Sequence, residues 1–279
     1  LNKETVLPTT DKHKETKQSP LEYCPETFCM NNMESFDEKV VLITGASSGI
    51  GAATARQFAS AGATVVLAAR TETALETVAS ECETMGGTAL AVPTDVVDHT
   101  AVNALIDATI ERFNQLDLCI VNAGTGESVD TALSDIPIEQ FKQVTETNVH
   151  GAFYTTRAAI PHLRESNGSL IFIGSFKGKY PSSSTPIYAA SKWWLRGFAA
   201  SVAGRVGPDG VATTLVNPSG VTTNFGSQFR ERSNNEALDA QTTLDVTDVA
   251  DSIVFAAQQD APAAVTELDL NRQDIFERF

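Results

Sequence analysis

The chain has 279 residues and a mass of 29.7 kDa, 42% of its residues are hydrophobic, and its formal net charge at pH 7 is -15. This length and composition suffice for one large α/β domain with a full core. The excess of acidic residues argues against a nucleic-acid-binding surface and against attraction to an anionic membrane, because both need clustered lysine and arginine.

Signals for targeting, disulfides and metal binding are weak in this sequence. No apolar run approaches the ~18 to 20 residues that span a bilayer, and the first twenty residues lack the apolar core of a signal peptide. We therefore expect a cytoplasmic protein. The four cysteines form no C-x-x-C pair and have no histidine at zinc-finger spacing, so free thiols are expected and no metal site is predicted.

The chain divides into a polar N-terminal stretch and a patterned remainder. Residues 1–36 carry four lysines and show little periodic hydrophobicity, which predicts a disordered extension. Residues 37–279 are predicted to form a single domain.

From Lys39 onward, short apolar and β-branched runs alternate with longer helical patterns. The seven strand candidates are KVVLIT, ATVVLAA, GTALAVP, LDLCIVN, SLIFIG, GVATTLVNP and AVTELDL. Helices are predicted over residues 48–61, 73–85, 100–113, 138–163, 187–206 and 246–258. Because the strands lack polar alternation, both faces of the sheet must be covered. The pattern predicts a Rossmann-type, doubly wound α/β fold, with a mostly parallel seven-stranded sheet between two helical layers.

The first predicted strand runs directly into TGASSGIG, residues 44–51, and then into a helix. Glycines at 45, 49 and 51 suit a tight turn, close approach of the backbone to a pyrophosphate, and close packing of helix on strand. The helix N-terminus adds free N–H groups for phosphate oxygens. The segment predicts dinucleotide binding, with a purely structural glycine turn as the alternative.

The second predicted strand ends at Ala69 and Arg70, where an NAD-specific protein usually offers a carboxylate to the adenosine ribose. A guanidinium can instead bind a 2′-phosphate through charge-assisted hydrogen bonds. NADP(H) is therefore favoured over NAD(H). The alternative is a solvated arginine paired with Glu72, and Ser48 supplies no second basic group in the glycine loop, so the preference can be incomplete.

The segment YAASK places Tyr188 and Lys192 four positions apart on a predicted helix. Side chains at i and i+4 lie on one face, so both can serve one reacting atom. A nearby positive charge favours the phenolate and lowers a tyrosine pKa from about 10 towards the working pH. This pair suits a general acid or base, although an incidental pair on a surface helix is the alternative.

Together these motifs resemble the short-chain dehydrogenase/reductase family from about Lys39 to Leu270, in its single-domain branch. TGASSGIG resembles the cofactor loop of that family, NAG at residues 122–124 its fourth-strand motif, and YAASK its active-site signature. Asp95, after the third predicted strand, stands where the family contacts the adenine ring.

The resemblance implies four catalytic residues in this chain. Tyr188 would exchange a proton with the substrate oxygen, and Ser175 would orient that oxygen through a hydrogen bond. Lys192 would lower the tyrosine pKa and hold the nicotinamide ribose, and Asn148 would support a water-linked proton path at a break in its helix. The implied cofactor-binding residues are Gly45, Ser47, Ser48, Gly49, Ile50, Arg70, Asp95, Val96, Asn122, Ala123, Gly124, Tyr188, Lys192, Pro218, Val221 and Thr223.

The activity that the resemblance implies is NADP(H)-dependent interconversion of a ketone or aldehyde and an alcohol by hydride transfer. The substrate would be a small carbonyl or alcohol compound, and the active protein a homodimer or homotetramer formed through the long helix that carries Tyr188. The alternative is a non-catalytic NADP-binding sensor or scaffold on the same fold, which would be expected to have lost Tyr188 or Lys192.

The sequence departs from the family pattern at two places. Ser219 stands where many relatives carry glycine after the proline of NPSG, and Trp194 stands where a small residue is common. For Trp193 and Trp194, burial in the core is favoured over the substrate cleft or a subunit contact. Substrate choice is assigned to the loop at about 218–245, to residues 176–186 and to the region after Asn122. In the first of these, Arg230 or Arg232 could bind a carboxylate or phosphate, although solvation of both is favoured.

Overall fold

The computed structural model describes residues 36–226, 229, 233–237 and 243–278. The predicted polar extension lies outside these residues up to position 35, so its disorder stays a prediction. Phe36 begins the described domain: its side chain is buried and packs edge-on against Phe58, with the ring centroids 4.9 Å apart.

A seven-stranded sheet forms the centre of the described domain, and every neighbouring pair of strands is parallel. The strand order is β3-β2-β1-β4-β5-β6-β7, which confirms the predicted fold class. The strands are β1 (Val40–Thr44), β2 (Thr64–Ala69), β3 (Thr88–Pro93), β4 (Leu118–Val121), β5 (Ser169–Ile173), β6 (Ala212–Pro218) and β7 (Glu267–Leu270).

Helices connect successive strands, as parallel pairing requires. In the described part of the chain they are α1 (Gly49–Ser60), α2 (Glu72–Thr84), α3 (His99–Phe113), α4 (Ile138–Thr145), α5 (Ala152–Ser166), α6 (Pro186–Val206), α7 (Asn234–Ala237) and α8 (Val246–Ala257). The single helix predicted over 138–163 is α4 and α5, joined by a π-helical turn at Glu146–Gly151.

The core lies in two layers, one on each face of the sheet. Adjacent residues of β1 point to opposite faces: Ile43 packs with Phe58 of α1 in one layer, and Leu42 packs with Phe172 and Leu195 in the other. Since both faces are buried, the strands need apolar residues at successive positions, which is why their sequences do not alternate.

The strand order reverses direction between β1 and β4, so the loops that follow these two strands diverge at the carboxyl edge of the sheet. A crevice at such a switch point is where doubly wound folds bind ligands. No helix in the described ranges is long and apolar enough to cross a membrane, and a cytoplasmic location stays a prediction.

Candidate active site

A cavity of about 1070 Å³ lies at the carboxyl edge, between the loops that follow β1, β4, β5 and β6. Every residue predicted to bind the cofactor lines this cavity. Of the four predicted catalytic residues, Ser175, Tyr188 and Lys192 line it as well. Asn148 does not, because it is buried behind the wall with 2% of its surface exposed.

The glycines of the loop between β1 and α1 are required by space and by backbone conformation. A Cβ on Gly45 would lie 2.9 Å from the Cα of Ala123, and one on Gly51 would lie 2.3 Å from the carbonyl oxygen of Gly45. Gly49 has φ +55° and faces the methyl group of Thr223. Only glycine lets this loop pack so closely against the loops after β4 and β6.

Asn122 holds the glycine loop in place. Its side-chain Nδ2 donates to the carbonyl oxygens of Thr44 at 2.8 Å and Gly45 at 3.1 Å. In return, the hydroxyl of Thr44 accepts from the backbone N–H groups of Asn122 and Ala123 at 3.1 and 3.2 Å. The side-chain amide of Asn122 therefore shapes the cavity wall by fixing the loop.

The amino end of α1 opens into the cavity without a side-chain cap. Ser48 is the N-cap residue but makes no capping hydrogen bond, and the first turn holds no acidic residue. Uncapped amides together with the positive end of the helix dipole form an anion site. With the glycine loop beside it, this end of the cavity fits a dinucleotide pyrophosphate.

Arg70 lies at the outer end of the cavity, directly after β2, with its side chain exposed. Within the described ranges it forms no ion pair, and the alternative pairing with Glu72 is absent. Thr71, the N-cap of α2, makes no side-chain capping bond either. The first turn of α2 holds Glu72, which disfavours an anion at this helix end, so the guanidinium of Arg70 is the group that suits the 2′-phosphate of an adenosine ribose.

The loop after β3 forms another part of the wall. The Asp95 carboxylate accepts from the backbone N–H of Val97 at 3.2 Å. Val96 is buried, and its methyl group would lie 2.7 Å from a Cβ on Gly151. This contact connects the loop to the π-helical turn, so the site and its supporting helix are packed together.

Lys192 is a buried cation, with 5% of its surface exposed. Its ammonium donates to the carbonyl oxygen of Ile173 at 2.7 Å and lies 5.8 Å from the ring centroid of Tyr188. Burial lowers the pKa of Lys192 to about 8, since desolvation disfavours the charged form. Helical spacing thus brings the two side chains to one cavity, as the sequence predicted.

Ser175 enters the cavity from the carboxyl end of β5. Its backbone is extended, 8% of the residue is exposed, and its hydroxyl accepts from the N–H of Lys177 at 3.2 Å. The preceding Gly174 leaves no room for a side chain, because a Cβ would lie 2.2 Å from Oδ1 of Asn217. Ser175 and Tyr188 therefore line the same cavity.

Asn148 lies in the π-helical turn and joins two parts of the site. Its Oδ1 accepts from the N–H of Thr125 at 2.8 Å, and its Nδ2 donates to the carbonyl of Thr125 and to the hydroxyl of Ser191, both at 2.9 Å. Ser191 in turn donates to the carbonyl of Tyr188 at 2.7 Å. The predicted helix break is this π turn, a feature frequent at functional sites, while the water-linked proton path stays a prediction.

Ser219 has a structural role that accounts for its departure from glycine. Its hydroxyl accepts from the N–H of Arg272 at 3.0 Å, and its own N–H donates to the carbonyl of Leu270 at 2.8 Å. These bonds tie the segment after β7 to the loop after β6. As a result, Arg272 and Ile275 line the cavity. No local motif marks these two residues, so they could not be predicted from the sequence.

The prediction that both tryptophans are buried is wrong. Trp193 is 45% exposed and Trp194 is 36% exposed, with Trp194 stacked on Phe198 at a centroid distance of 4.7 Å. The buried stripe of α6 contains Leu195 and Ala199, at helical spacing from Lys192, and the tryptophans fall outside it. Arg230 and Arg232 lie outside the described residues, so their suggested role stays a prediction.

Comparison with known proteins identifies the class. The family model for the short chain dehydrogenases matches residues 39–234, and the chain belongs to this family of oxidoreductases. It is 31% identical over 230 residues to meso-2,3-butanediol dehydrogenase of Serratia marcescens, covering 81% of this chain and 90% of that protein.

Two solved structures have the same fold over most of their length. One is a 3-ketoacyl-(acyl-carrier-protein) reductase from Brucella melitensis complexed with NADH, with a TM-score of 0.76 and 28% identity over 84% of this chain and 97% of that one. The other is an alcohol dehydrogenase from the archaeon Thermococcus sibiricus complexed with 5-hydroxy-NADP, with a TM-score of 0.75 and 27% identity over 83% and 95%.

Proposed function

We propose that this protein is an NADP(H)-dependent oxidoreductase that interconverts a ketone or aldehyde with the corresponding alcohol, with Tyr188 as the acid and base. The observation that carries the proposal is the buried ammonium of Lys192 beside the ring of Tyr188 in the large cavity. A charged group is expensive to bury, and a cation next to a phenol favours its ionised form. That combination suits a proton-transfer site.

When bound, the nicotinamide supplies the hydride for reduction or accepts it in the reverse direction. The chain itself orients the substrate and moves the proton. In reduction, negative charge grows on the substrate oxygen, the hydroxyl of Ser175 donates a hydrogen bond to it, and the hydroxyl of Tyr188 donates a proton. The ammonium of Lys192 stabilises the phenolate that remains.

The same residues supply the cofactor site that the mechanism needs. The glycine loop and the first amides of α1 would hold the pyrophosphate, Asp95 and Val96 would flank the adenine, and Lys192 would bind the nicotinamide ribose. Related structures hold NADH in one case and a modified NADP in another. For this chain Arg70 supports NADP(H), because its guanidinium at the cavity is not engaged in an ion pair in the described ranges.

The cavity lining near Tyr188 is apolar, which favours a carbonyl substrate that carries an apolar group. Phe176, Phe225 and Ile275 line the cavity, and the ring of Phe225 lies 5.3 Å from that of Tyr188. Aromatic and aliphatic surfaces contribute to binding by burying apolar area.

We also propose that the protein assembles as a homodimer or homotetramer through α5 and α6. Phe153 and Trp194 are exposed and both lie against Phe198, which forms a continuous aromatic surface on these helices. Exposed apolar patches of this kind mark interfaces.

Cofactor selectivity is tested by titrating the protein with NADPH and, separately, NADH while following nicotinamide emission. NADPH should bind more tightly. Arg70→Asp should weaken NADPH binding about 10- to 100-fold, because charge-assisted hydrogen bonds are lost and a repulsive carboxylate is added, with little effect on NADH.

The control is Arg205→Asp, which changes an exposed arginine of α6 that does not line the cavity. An unchanged ratio of NADPH to NADH affinity in Arg70→Asp would show that Arg70 does not set the preference. Failure of the wild-type protein to bind either nucleotide would contradict the proposed function.

A further inference from the structure

Glu127 is a fully buried carboxylate that none of the predicted roles uses. It lies in the segment after β4, three residues beyond Gly124, and 0% of its surface is exposed. Its Oε1 accepts from the backbone N–H of Ile187 at 2.9 Å, and its Oε2 accepts from the backbone N–H of Tyr188. A loop about sixty positions away along the chain thus binds the backbone of Tyr188.

These two N–H groups belong to the first turn of α6, which begins at Pro186. The first amides of a helix have no partner within the helix and need an outside acceptor. Thr185, the N-cap residue, makes no side-chain capping bond, and its hydroxyl accepts from the ammonium of Lys177 at 2.7 Å. Glu127 therefore supplies the cap, and its charge is favourable at the positive end of the helix dipole.

The segment that carries Glu127 also touches the other parts of the site. Both backbone groups of Thr125 bond to the side chain of Asn148. A Cβ on Gly124 would lie 3.7 Å from the ammonium of Lys192. Further on, the N–H of Asp130 donates to the carbonyl of Ser184 at 3.2 Å, just before α6. One short segment therefore contacts the π-helical turn, the ammonium of Lys192 and the residues just before α6.

We propose that Glu127 is a positioning residue that fixes the first turn of α6 and thereby the place of the Tyr188 phenol relative to Ser175 and Lys192. The proposal rests on the proposed function for its kinetic test. A buried carboxylate is costly unless it is hydrogen-bonded, and Glu127 accepts from two N–H groups of the turn that carries Tyr188. Proton transfer requires geometry within hydrogen-bond reach, so loosening this turn lowers the rate of the chemical step.

The kinetic test compares Glu127→Leu, Glu127→Gln and the wild-type protein in NADPH-dependent carbonyl reduction. Glu127→Leu should lower kcat about 10- to 100-fold, with the NADPH Kd and the substrate KM within about threefold of wild type. Glu127→Gln keeps one acceptor oxygen, so its kcat should lie between those of the wild-type protein and Glu127→Leu. It also tests the proposal if the leucine variant fails to fold.

The matched control is Asp117→Asn. Asp117 is likewise buried and accepts from a backbone N–H, that of Val40 at 2.9 Å, but at the amino edge of the sheet. This variant should lose stability without losing kcat. A Glu127 series with unchanged kcat, or a fall in kcat equal to that of Asp117→Asn, would overturn the proposal.

A second comparison separates positioning from general damage. In a Tyr188→Phe background the residual rate should not fall further when Glu127→Gln is added, because the two changes act through one group. A further fall of the same size as in the wild-type background would show that Glu127 acts independently of Tyr188.

A third readout does not depend on turnover. The chain has four tyrosines, so a protein labelled with ring-¹³C tyrosine gives few signals, and Tyr188→Phe assigns that of Tyr188. Glu127→Gln should shift or broaden this signal, whereas Asp117→Asn should not. If the wild-type protein reduces no carbonyl compound, the proposed function fails, and an unmoved Tyr188 signal would separately refute the role of Glu127.

Discussion

At the scale of single residues, the site contains groups that oppose folding. Lys192 has an ordinary pKa near 10.5 in an unfolded chain, and burial lowers it to about 8 in the folded domain. A difference of this size corresponds to about 3 kcal/mol of unfavourable free energy at neutral pH, where the amine must be protonated inside the protein. A buried charge of this cost is what the proposed role of Lys192 in proton transfer requires.

The stability of the protein without cofactor should therefore respond to Lys192. Between pH 8 and 10.5 the unfolded chain binds more protons at this lysine than the folded one does, so its contribution to stability rises with pH across that window. Below pH 8 the full penalty applies. Lys192→Met should remove the penalty but also the hydrogen bond to Ile173, which leaves a net gain of about 1 to 2 kcal/mol at pH 7.

Calorimetry of wild type and Lys192→Met at pH 7 and pH 9.5 measures this effect. The variant should melt a few degrees higher at pH 7, and the difference should shrink at pH 9.5. A variant that melts lower by the same amount at both pH values would contradict the assignment of a costly buried charge.

At the scale of elements, the sequence predicted those parts of the site whose residues are close together along the chain. The glycine loop could be recognised because its glycines stand between a strand and a helix, and the structure shows why no side chain fits at Gly45 and Gly51. Helical spacing placed Tyr188 and Lys192 of YAASK on one face of a helix, but their catalytic role was implied only by the family resemblance.

Contacts between elements distant in sequence escaped prediction. Glu127 caps α6 from the loop after β4, and Arg272 reaches the cavity because Ser219 anchors the segment that follows β7. Neither relation has a periodic or compositional signature. The π-helical turn at Glu146–Gly151 was implied only by family resemblance, since its residues fit an ordinary helical pattern.

At the scale of the whole molecule, the seven parallel strands followed from alternating strand and helix patterns. The wrong prediction concerned Trp193 and Trp194, because hydrophobicity suggests burial without saying whether the neighbour lies in the same chain. Trp194 is exposed and stacks on Phe198, which also contacts Phe153, and this arrangement supports the proposed subunit interface.

The proposed assembly is tested by light scattering after size-exclusion chromatography. The wild-type protein should elute as a dimer or tetramer, and Trp194→Glu combined with Phe153→Glu should shift it to the monomer, because two charges would be buried in an apolar contact. Phe255→Glu is the control, since Phe255 is exposed on α8, on the other face of the sheet. A monomeric wild-type protein at micromolar concentration would contradict the proposal.

The central claim is that Tyr188 transfers the proton in a carbonyl reduction dependent on NADPH. Its most direct test is the steady-state rate and the NADPH affinity of Tyr188→Phe, which removes one hydroxyl group and keeps the ring. Tyr154→Phe, on α5 and outside the cavity, is the matched control. We expect Tyr188→Phe to bind NADPH within about threefold of wild type and to lose at least about 100-fold in kcat, while Tyr154→Phe keeps its rate. A Tyr188→Phe protein that retains most of its turnover would contradict the mechanism.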